Sequence, residues 1–121
     1  MARILIVEDT PANMRLLVAI LEKAGHGLLL APAASEGMLI AQQEQPDLIL
    51  MDVQLPGMNG LEATRLLKAD PVTQGIPVIA ITAFAMSGDK EYFINAGCDS
   101  YLAKPIRYKE LLVAVENALK K

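Results

Sequence analysis

Acidic, hydroxyl and amino side chains stand directly after the short apolar runs of this sequence. They are Glu8 and Asp9 after run 4–7, Asp52 after run 48–51, Thr82 after run 78–81, and Lys104 after run 101–103. A carboxylate at the end of a buried run is costly unless its charge is compensated. In isolation, Asp52 is best interpreted as a loop cap that accepts a backbone N–H. The positions of the other polar residues decide whether a chemical role is the better interpretation.

The apolar runs alternate with segments of helical periodicity, which predicts a doubly wound α/β fold. Five runs are predicted as strands: 4–7, 28–30, 48–51, 78–81 and 101–103. Five helices are predicted between and after them: 11–24, 35–45, 59–69, 86–96, and a last one with an apolar face at Leu111, Leu112, Val115 and Leu119. This alternation favours a parallel sheet with right-handed crossovers. We predict a flavodoxin-like (βα)5 domain with strand order 2-1-3-4-5.

Punctuating residues set the expected element boundaries. Thr10 at the N-cap and Pro11 at the first helical position begin the first helix, and Gly25 ends it. Ser35 is predicted to begin the second helix. Pro32 indicates that the second strand stops there or lies at an edge of the sheet.

The predicted topology brings the polar strand ends to one edge of the sheet. Glu8, Asp9 and Asp52 would then converge, and three facing carboxylates repel one another unless a cation neutralises them. Oxygen ligands favour Mg²⁺, with Mn²⁺ or Ca²⁺ as possible substitutes, over Zn²⁺. Because Mg²⁺ is commonly held by one or two carboxylates together with phosphate oxygens, this edge is predicted to receive a phosphoryl group.

Asp52 is the predicted nucleophile for that group, since a carboxylate can accept a phosphoryl group as an acyl phosphate. Lys104 offers a flexible positive charge and Thr82 a hydroxyl donor to phosphate oxygens. A metal-dependent phosphatase is an alternative, but aspartate-nucleophile phosphatases place a second Asp two residues after the nucleophile as general acid. Here that position is Gln54. We therefore predict slow hydrolysis and a stored phosphate.

Four motifs in order carry a resemblance to response-regulator receiver domains of two-component signalling, the chemotaxis-regulator-like fold. They are Ile6-Val7-Glu8-Asp9, Leu50-Met51-Asp52-Val53-Gln54-Leu55-Pro56-Gly57-Met58-Asn59-Gly60, Ile81-Thr82-Ala83 and Tyr101-Leu102-Ala103-Lys104-Pro105. The resemblance covers the whole chain. The sequence is most similar to single-domain regulators of the cell-division and development type, or to receivers within hybrid kinases.

The resemblance implies roles for individual residues. Asp52 would be phosphorylated from a phosphohistidine on a histidine kinase or a histidine phosphotransfer protein. Asp9 and Asp52 would bind Mg²⁺ directly, Glu8 through water and Gln54 through its backbone carbonyl. Thr82 and Lys104 would bind the phosphoryl group, Tyr101 would be the switch aromatic, and the bond before Pro105 would be cis.

Phosphorylation is expected to alter a docking surface for a downstream protein. That surface would comprise the predicted fourth helix, the fifth strand and the fifth helix, with Tyr92, Tyr101 and Tyr108. Glu8 stands where this family commonly has Asp. Phe84, two residues after Thr82, is hypothesised to slow the entry of the hydrolytic water.

Composition excludes several other classes. The 121 residues fit one domain, and 53% hydrophobic with 21% charged residues is typical of a globular protein. No apolar run is long enough to span a bilayer, and the net charge of −3 with no basic stripe argues against direct nucleic-acid binding. The single cysteine, Cys98, favours a reducing compartment, and we expect a cytoplasmic protein.

Two further alternatives remain open at this point. A flavodoxin-like nucleotide binder would need a loop of backbone N–H donors after the first strand, but Glu8-Asp9-Thr10-Pro11 is acidic and contains a proline. A receiver cut from a larger hybrid kinase or response regulator would have the same motifs. The expectation is a free-standing receiver domain over residues 1–121 with no output domain.

Overall fold

One parallel sheet of five strands forms the centre of the domain. The computed structural model describes residues 2–55, 57–83 and 93–120. The strands are β1 (Arg3–Val7), β2 (Gly27–Ala31), β3 (Leu48–Asp52), β4 (Val78–Thr82) and β5 (Ser100–Ala103). Their order is β2-β1-β3-β4-β5, and all four pairings are parallel. The predicted fold class and strand order are confirmed.

Helices connect the strands as crossovers. They are α1 (Pro11–Lys23), α2 (Ala34–Glu44), α3 (Gly60–Ala69) and a C-terminal helix (Tyr108–Leu119). The predicted helix 86–96 lies mostly outside the described residues, of which 93–95 are helical. None of the helices in the described part of the chain has the length and apolar character needed to cross a membrane.

Residues of the central strands alternate between two buried layers. Ile4, Ile6, Leu48 and Leu50 pack in one core with α1 and the C-terminal helix. Their neighbours in sequence, which include Leu5, Val7, Ile49 and Met51, pack in a second core with α2 and α3. β3 and β4 are buried along their entire length. The apolar runs lack polar alternation because both faces of a parallel sheet are covered.

Two predictions of helix boundaries have different outcomes. Pro11 begins α1 with Thr10 at the N-cap position, although the Thr10 side chain makes no capping hydrogen bond, and Gly25 follows the helix with a φ of +91°. The prediction that Ser35 begins the second helix is wrong, because α2 begins at Ala34 with an extended Ala33 before it. That helix start is set by packing against β1, not by a side-chain cap.

The close approach of α2 to β1 supports this explanation. A Cβ at Gly37 would lie 2.6 Å from Val7 Cγ2, so the first turn of the helix rests directly on the strand. β2 is an edge strand and ends at Ala31, immediately before Pro32. The position of this proline agrees with the sequence prediction.

Candidate functional site

The carboxyl ends of four adjacent strands position the predicted site residues. In the register of the sheet, Val7 pairs with Met51 and Asp52 pairs with Ile81. Thr82 pairs with Ala103 on the next strand. The residues that follow β1, end β3 and β4, and follow β5 therefore meet at one edge, although they are far apart in sequence. Open α/β sheets bind ligands at this edge.

Three carboxylates meet there. Glu8, Asp9 and Asp52 each offer an oxygen atom, and these atoms all lie within 4.8 Å of one another. Asp52 and Glu8 are only 1% and 2% exposed, whereas Asp9 is exposed. Burial is the largest cause that raises the pKa of Asp52, to about 6, and the hydrogen bond and negative charge of Glu8 add to it. Lys104 and the backbone N–H of Gln54 act in the opposite direction.

Lys104 is the cation that faces the acids. Its Nζ lies 3.3 Å from Asp52 Oδ2 and 3.6 Å from Glu8 Oε1. The backbone N–H of Lys104 donates to the carbonyl of Thr82 at 2.8 Å, which ties the lysine to the end of β4. The Lys104–Pro105 peptide bond is cis. Within the described part of the chain, one ammonium group thus faces a cluster of three carboxylates.

The donor set fits a hard divalent cation. Glu8 Oε2 accepts from the Thr10 N–H at 3.1 Å, but the buried Glu8 Oε1 has no hydrogen-bond partner within the described residues. Lys104 Nζ, at 3.6 Å, is too far from this oxygen to donate a hydrogen bond. A buried carboxylate oxygen without a hydrogen bond is unfavourable unless a further positive group compensates it. The oxygen-only ligands, the orphaned Oε1 and the excess of negative charge all match a Mg²⁺ site.

Gln54 connects the acid cluster to the end of β4. Its backbone N–H donates to Asp52 Oδ1 at 3.1 Å. Its side-chain Nε2 donates to Thr82 Oγ1 at 3.1 Å, and its Oε1 accepts from the Ala83 N–H at 3.3 Å. Sequence reasoning identified Gln54 as a missing acid and, from the resemblance, as a Mg²⁺ ligand through its backbone carbonyl, but it missed these side-chain contacts. They depend on the path of the loop after β3, for which the sequence holds no signal.

Gly60 and Asn59 set the position of α3 behind Asp52. The Gly60 N–H donates to the carbonyl of Val53 at 3.1 Å, and a Cβ on Gly60 would clash with the backbone carbonyl oxygen of Asp52. The Asn59 side chain caps the helix by accepting from the Glu62 N–H at 2.9 Å. Sequence reasoning assigned neither role, although the Asn-x-x-Glu spacing before a helix is a capping signal.

The aromatic residues of the predicted switch are only partly described. Tyr101 is half-buried, and its ring lies 5.4 Å from that of Phe93 at an interplanar angle of 41°. It packs beside a buried cluster that includes Leu61 and Cys98. Phe84 and Tyr92 lie outside the described residues.

Two other residues that could take part in chemistry lie away from this edge. Cys98 is buried, and burial is the main cause that raises the pKa of its thiol. His26 Nδ1 accepts from the Ala2 N–H at 3.2 Å, near the opposite edge of the sheet. Neither side chain belongs to the acid cluster.

Comparison with curated proteins finds relatives of nearly equal length. The chain is 44% identical to protein PilH of Pseudomonas aeruginosa over 119 residues, 98% of each chain. It is 41% identical to the polar-differentiation response regulator DivK of Brucella ovis over 116 residues, which cover 96% of this chain and 94% of DivK.

Solved structures show the same architecture. The receiver domain of a sensor histidine kinase from Pseudomonas aeruginosa has a TM-score of 0.91 and 35% identity, with 99% of this chain and 98% of that chain covered. That structure holds a magnesium ion coordinated in its active-site cleft. The chemotaxis protein CheY4 of Vibrio cholerae has a TM-score of 0.92 and 25% identity, with 98% and 99% covered.

The family model for the response regulator receiver domain matches residues 4–116, which include every strand end that contributes to the acid cluster. With relatives above 40% identity over nearly the whole chain, this match shows that the protein belongs to the response regulator receiver domain family of two-component signalling.

Proposed function

We propose that Asp52 accepts a phosphoryl group from a phosphohistidine of a histidine kinase or a histidine phosphotransfer protein. The observation that carries the proposal is the buried carboxylate of Asp52, which faces Glu8, Asp9 and the ammonium group of Lys104 at the carboxyl edge of the sheet. An ionised carboxylate held in this position is a nucleophile with a cation beside it.

The proposed transfer forms one bond to phosphorus and breaks another. An Asp52 carboxylate oxygen forms a bond to phosphorus while the bond from phosphorus to the donor's histidine nitrogen breaks. That nitrogen leaves with the bonding electron pair and takes up one proton from water. Lys104 Nζ and the Thr82 hydroxyl bind phosphoryl oxygens, and Lys104 already lies 3.3 Å from Asp52 Oδ2.

Asp9 and Asp52 would hold Mg²⁺ directly, Glu8 through water, and Gln54 through its backbone carbonyl. The bound ion supplies positive charge that offsets the charge of the transferring group. Mn²⁺ or Ca²⁺ could substitute, because the ligands are oxygen atoms. The orphaned Oε1 of Glu8 supports a cation at this position.

We assign slow turnover to the phosphorylated protein, which acts as a phosphoacceptor with at most slow self-catalysed phosphorylation and dephosphorylation. In hydrolysis, a water oxygen attacks phosphorus and the bond between phosphorus and the Asp52 oxygen breaks. The attacking water must also lose one proton. Gln54, two residues after Asp52, has a neutral amide that cannot take up that proton at neutral pH.

The output of the switch is proposed to be a protein–protein contact. Thr82 would bind the phosphoryl group, and Tyr101 would repack at the face formed by the predicted fourth helix, β5 and the C-terminal helix. A groove of about 820 Å³ lies between β5 and the C-terminal helix, and Val113 at this groove is 58% exposed. This apolar, accessible surface supports docking of a downstream protein.

Residues 1–121 are proposed to act as one receiver domain without an output domain. Phosphorylation would then act through partner proteins. PilH and DivK, which match over nearly their full length, support this organisation. The net charge of −3 argues against nucleic acid as a direct partner. We propose that the phosphoryl exchange takes place in the cytoplasm.

Incubation with Mg²⁺ and a small phosphodonor tests the proposal. Intact-mass measurement is expected to show one added phosphoryl group on the parent protein and on Asp47→Asn, a control at an exposed carboxylate on the opposite edge of the sheet. The Asp52→Asn variant is expected to show none, and a chelator is expected to abolish labelling of the parent. Equal labelling of Asp52→Asn and the parent would show that the proposal is wrong.

A further inference from the structure

We propose that the side-chain amide of Gln54 is a latch that holds the end of β4 in the unphosphorylated state and must be displaced when a phosphoryl group arrives. The proposal rests on the proposed function of Asp52 and Thr82, and it makes Gln54 a positioning residue. Its basis is that one side chain contacts both Thr82 Oγ1 and the Ala83 N–H.

The orientation of the Gln54 amide is determined by its partners. A backbone N–H can only donate, so the group that faces Ala83 must be the carbonyl oxygen Oε1, at 3.3 Å. The Nε2 group is then directed at Thr82 Oγ1, at 3.1 Å. Both bonds hold simultaneously in one orientation of the amide, whereas a flipped amide would turn its NH₂ toward the Ala83 N–H, and two donors cannot bond to each other.

The backbone of Gln54 anchors the latch to the phosphoacceptor itself. Its N–H donates to Asp52 Oδ1 at 3.1 Å. Gln54 therefore spans from the phosphoacceptor carboxylate at the end of β3 to the Thr82 hydroxyl and the Ala83 N–H at the end of β4. A side chain in this position is connected to both partners of the switch before any phosphate is present.

In the proposed mechanism, two acceptors compete for the same hydrogen-bond donor, the Ala83 N–H. The Ala83 N–H has one hydrogen, so a bond to a phosphoryl oxygen on Asp52 would replace the bond to Gln54 Oε1. When Thr82 turns its hydroxyl toward the same phosphoryl group, Oγ1 leaves the Gln54 amide. Phosphorylation thus exchanges two neutral hydrogen bonds for two bonds to an anion, which are stronger.

The two hydrogen bonds of the Gln54 amide make the change to the phosphoryl-bound arrangement less favourable but do not prevent it. A net neutral hydrogen bond that is lost corresponds to about a 2- to 10-fold change in an equilibrium. Gln54 is half-exposed, so water can solvate the released amide. We expect the latch to keep the unphosphorylated population in its resting arrangement.

Gln54→Met is the decisive variant, because methionine has similar length and no amide while the backbone N–H to Asp52 is retained. Gln43→Met is the matched control, since Gln43 is exposed on α2. With Mg²⁺, titration with beryllofluoride, an anionic phosphoryl mimic, is expected to show about 2- to 10-fold tighter binding to Gln54→Met than to the parent. Gln43→Met is expected to match the parent.

A second measurement reads the latch without metal or phosphate. Amide hydrogen exchange of Ala83 is expected to be about 2- to 10-fold faster in metal-free Gln54→Met than in the parent. In Gln54→Glu, a carboxylate oxygen can still accept from Ala83 but cannot donate to Thr82, so Ala83 exchange is expected to stay close to that of the parent. Unchanged Ala83 exchange in Gln54→Met would overturn the latch.

Labelling by the phosphodonor tests the role of Asp52, and beryllofluoride binding by Gln54→Met tests the latch, so failure of one can be distinguished from failure of the other. If the parent is not labelled by the small phosphodonor and does not bind beryllofluoride, the assignment of Asp52 fails, and the proposed competition fails with it. If the parent is labelled but Gln54→Met binds beryllofluoride equally or more weakly, the assignment of Asp52 stands and the latch is wrong.

Discussion

At the scale of single residues, the site stores unfavourable electrostatic energy in the absence of metal. Asp52 is 1% exposed and lies beside a second buried acid, and its carboxyl pKa is raised from 3.8 to about 6. A carboxyl that binds its proton more tightly in the folded state makes the folded state less stable as the pH rises through that range. Asp52, the proposed nucleophile, is therefore held at a cost to stability that a bound cation would reduce.

We predict that Asp52→Asn stabilises the metal-free protein. Asn removes the buried charge, and its oxygen can still accept from the Gln54 N–H while its NH₂ can donate to Glu8. Because the pKa shift of Asp52 corresponds to at most about 3 kcal/mol, the free energy of unfolding at about pH 8 is expected to rise by about 1–3 kcal/mol. Urea denaturation in the presence of a chelator measures this change.

The difference in unfolding free energy between Asp52→Asn and the parent is expected to depend on pH. The parent loses stability as the pH rises from 3.8 to about 6, because over this range the Asp52 carboxyl is ionised in the unfolded state and still protonated in the folded state. Asp52→Asn lacks this titration. The difference is expected to be small at about pH 4 and full at about pH 8, and Mg²⁺ is expected to reduce it by stabilising the parent. A variant less stable than the parent at about pH 8 without metal would contradict the explanation.

At the scale of secondary-structure elements, close backbone contacts position the helices on the sheet. α3 begins at Gly60, where the chain passes so near β3 that a side chain would meet the carbonyl oxygen of Asp52. β3 is buried along its entire length and cannot move aside. The start of α3 and the end of β3, which carries Asp52, are thus in direct backbone contact.

Gly60→Ala is predicted to destabilise the protein by about 1–3 kcal/mol, the usual cost of overpacking a core. Gly75→Ala is the matched control, because a Cβ there would meet nothing within 4 Å. Its effect is expected to stay within about 1 kcal/mol in either direction. Urea denaturation of both variants measures the difference, and equal stabilities would show that the contact with Asp52 is relaxed at little cost.

The sequence predicted the elements well and their contacts poorly. Apolar runs, Pro11 and Gly25 located the strands and the limits of α1, because these signals act through local backbone preferences. The start of α2 was misplaced at Ser35, since the packing of Gly37 on Val7 is a contact between distant residues. The Gln54 side-chain contacts were missed for the same reason: they join the loop after β3 to residues 28 and 29 positions later, at the end of β4.

At the scale of the whole molecule, the edge opposite the acid cluster is fastened by Lys68. From the last turn of α3, its Nζ donates to the Ile76 carbonyl at 2.7 Å and to Asp99 Oδ2 at 3.1 Å. Asp99 Oδ2 also accepts from the Val78 N–H at 2.7 Å. One ammonium group thus connects a helix with the segments that lead into β4 and β5.

We predict that Lys68→Met costs about 1–2 kcal/mol of unfolding free energy, because it leaves a carbonyl and a carboxylate short of a charged donor. Glu44→Gln provides the comparison. It removes the charge from the Arg3–Glu44 ion pair, whose two side chains are each 49% exposed. An exposed pair contributes at most about 1 kcal/mol. Denaturation midpoints should rank Lys68→Met as the less stable variant, and the reverse order would contradict this account.

The order of the strands has a consequence for local opening. β3, which carries Asp52, is the middle strand and is buried throughout, whereas β5, which leads into Lys104, is an edge strand with no fully buried residue. Edge elements separate from a fold at a lower free energy than its centre. Asp52, the proposed phosphoacceptor, is therefore expected to stay in place during fluctuations that release Lys104. Partial unfolding of the β5 edge would thus move the Lys104 ammonium group away from the acid cluster and back again while Asp52 stays in place.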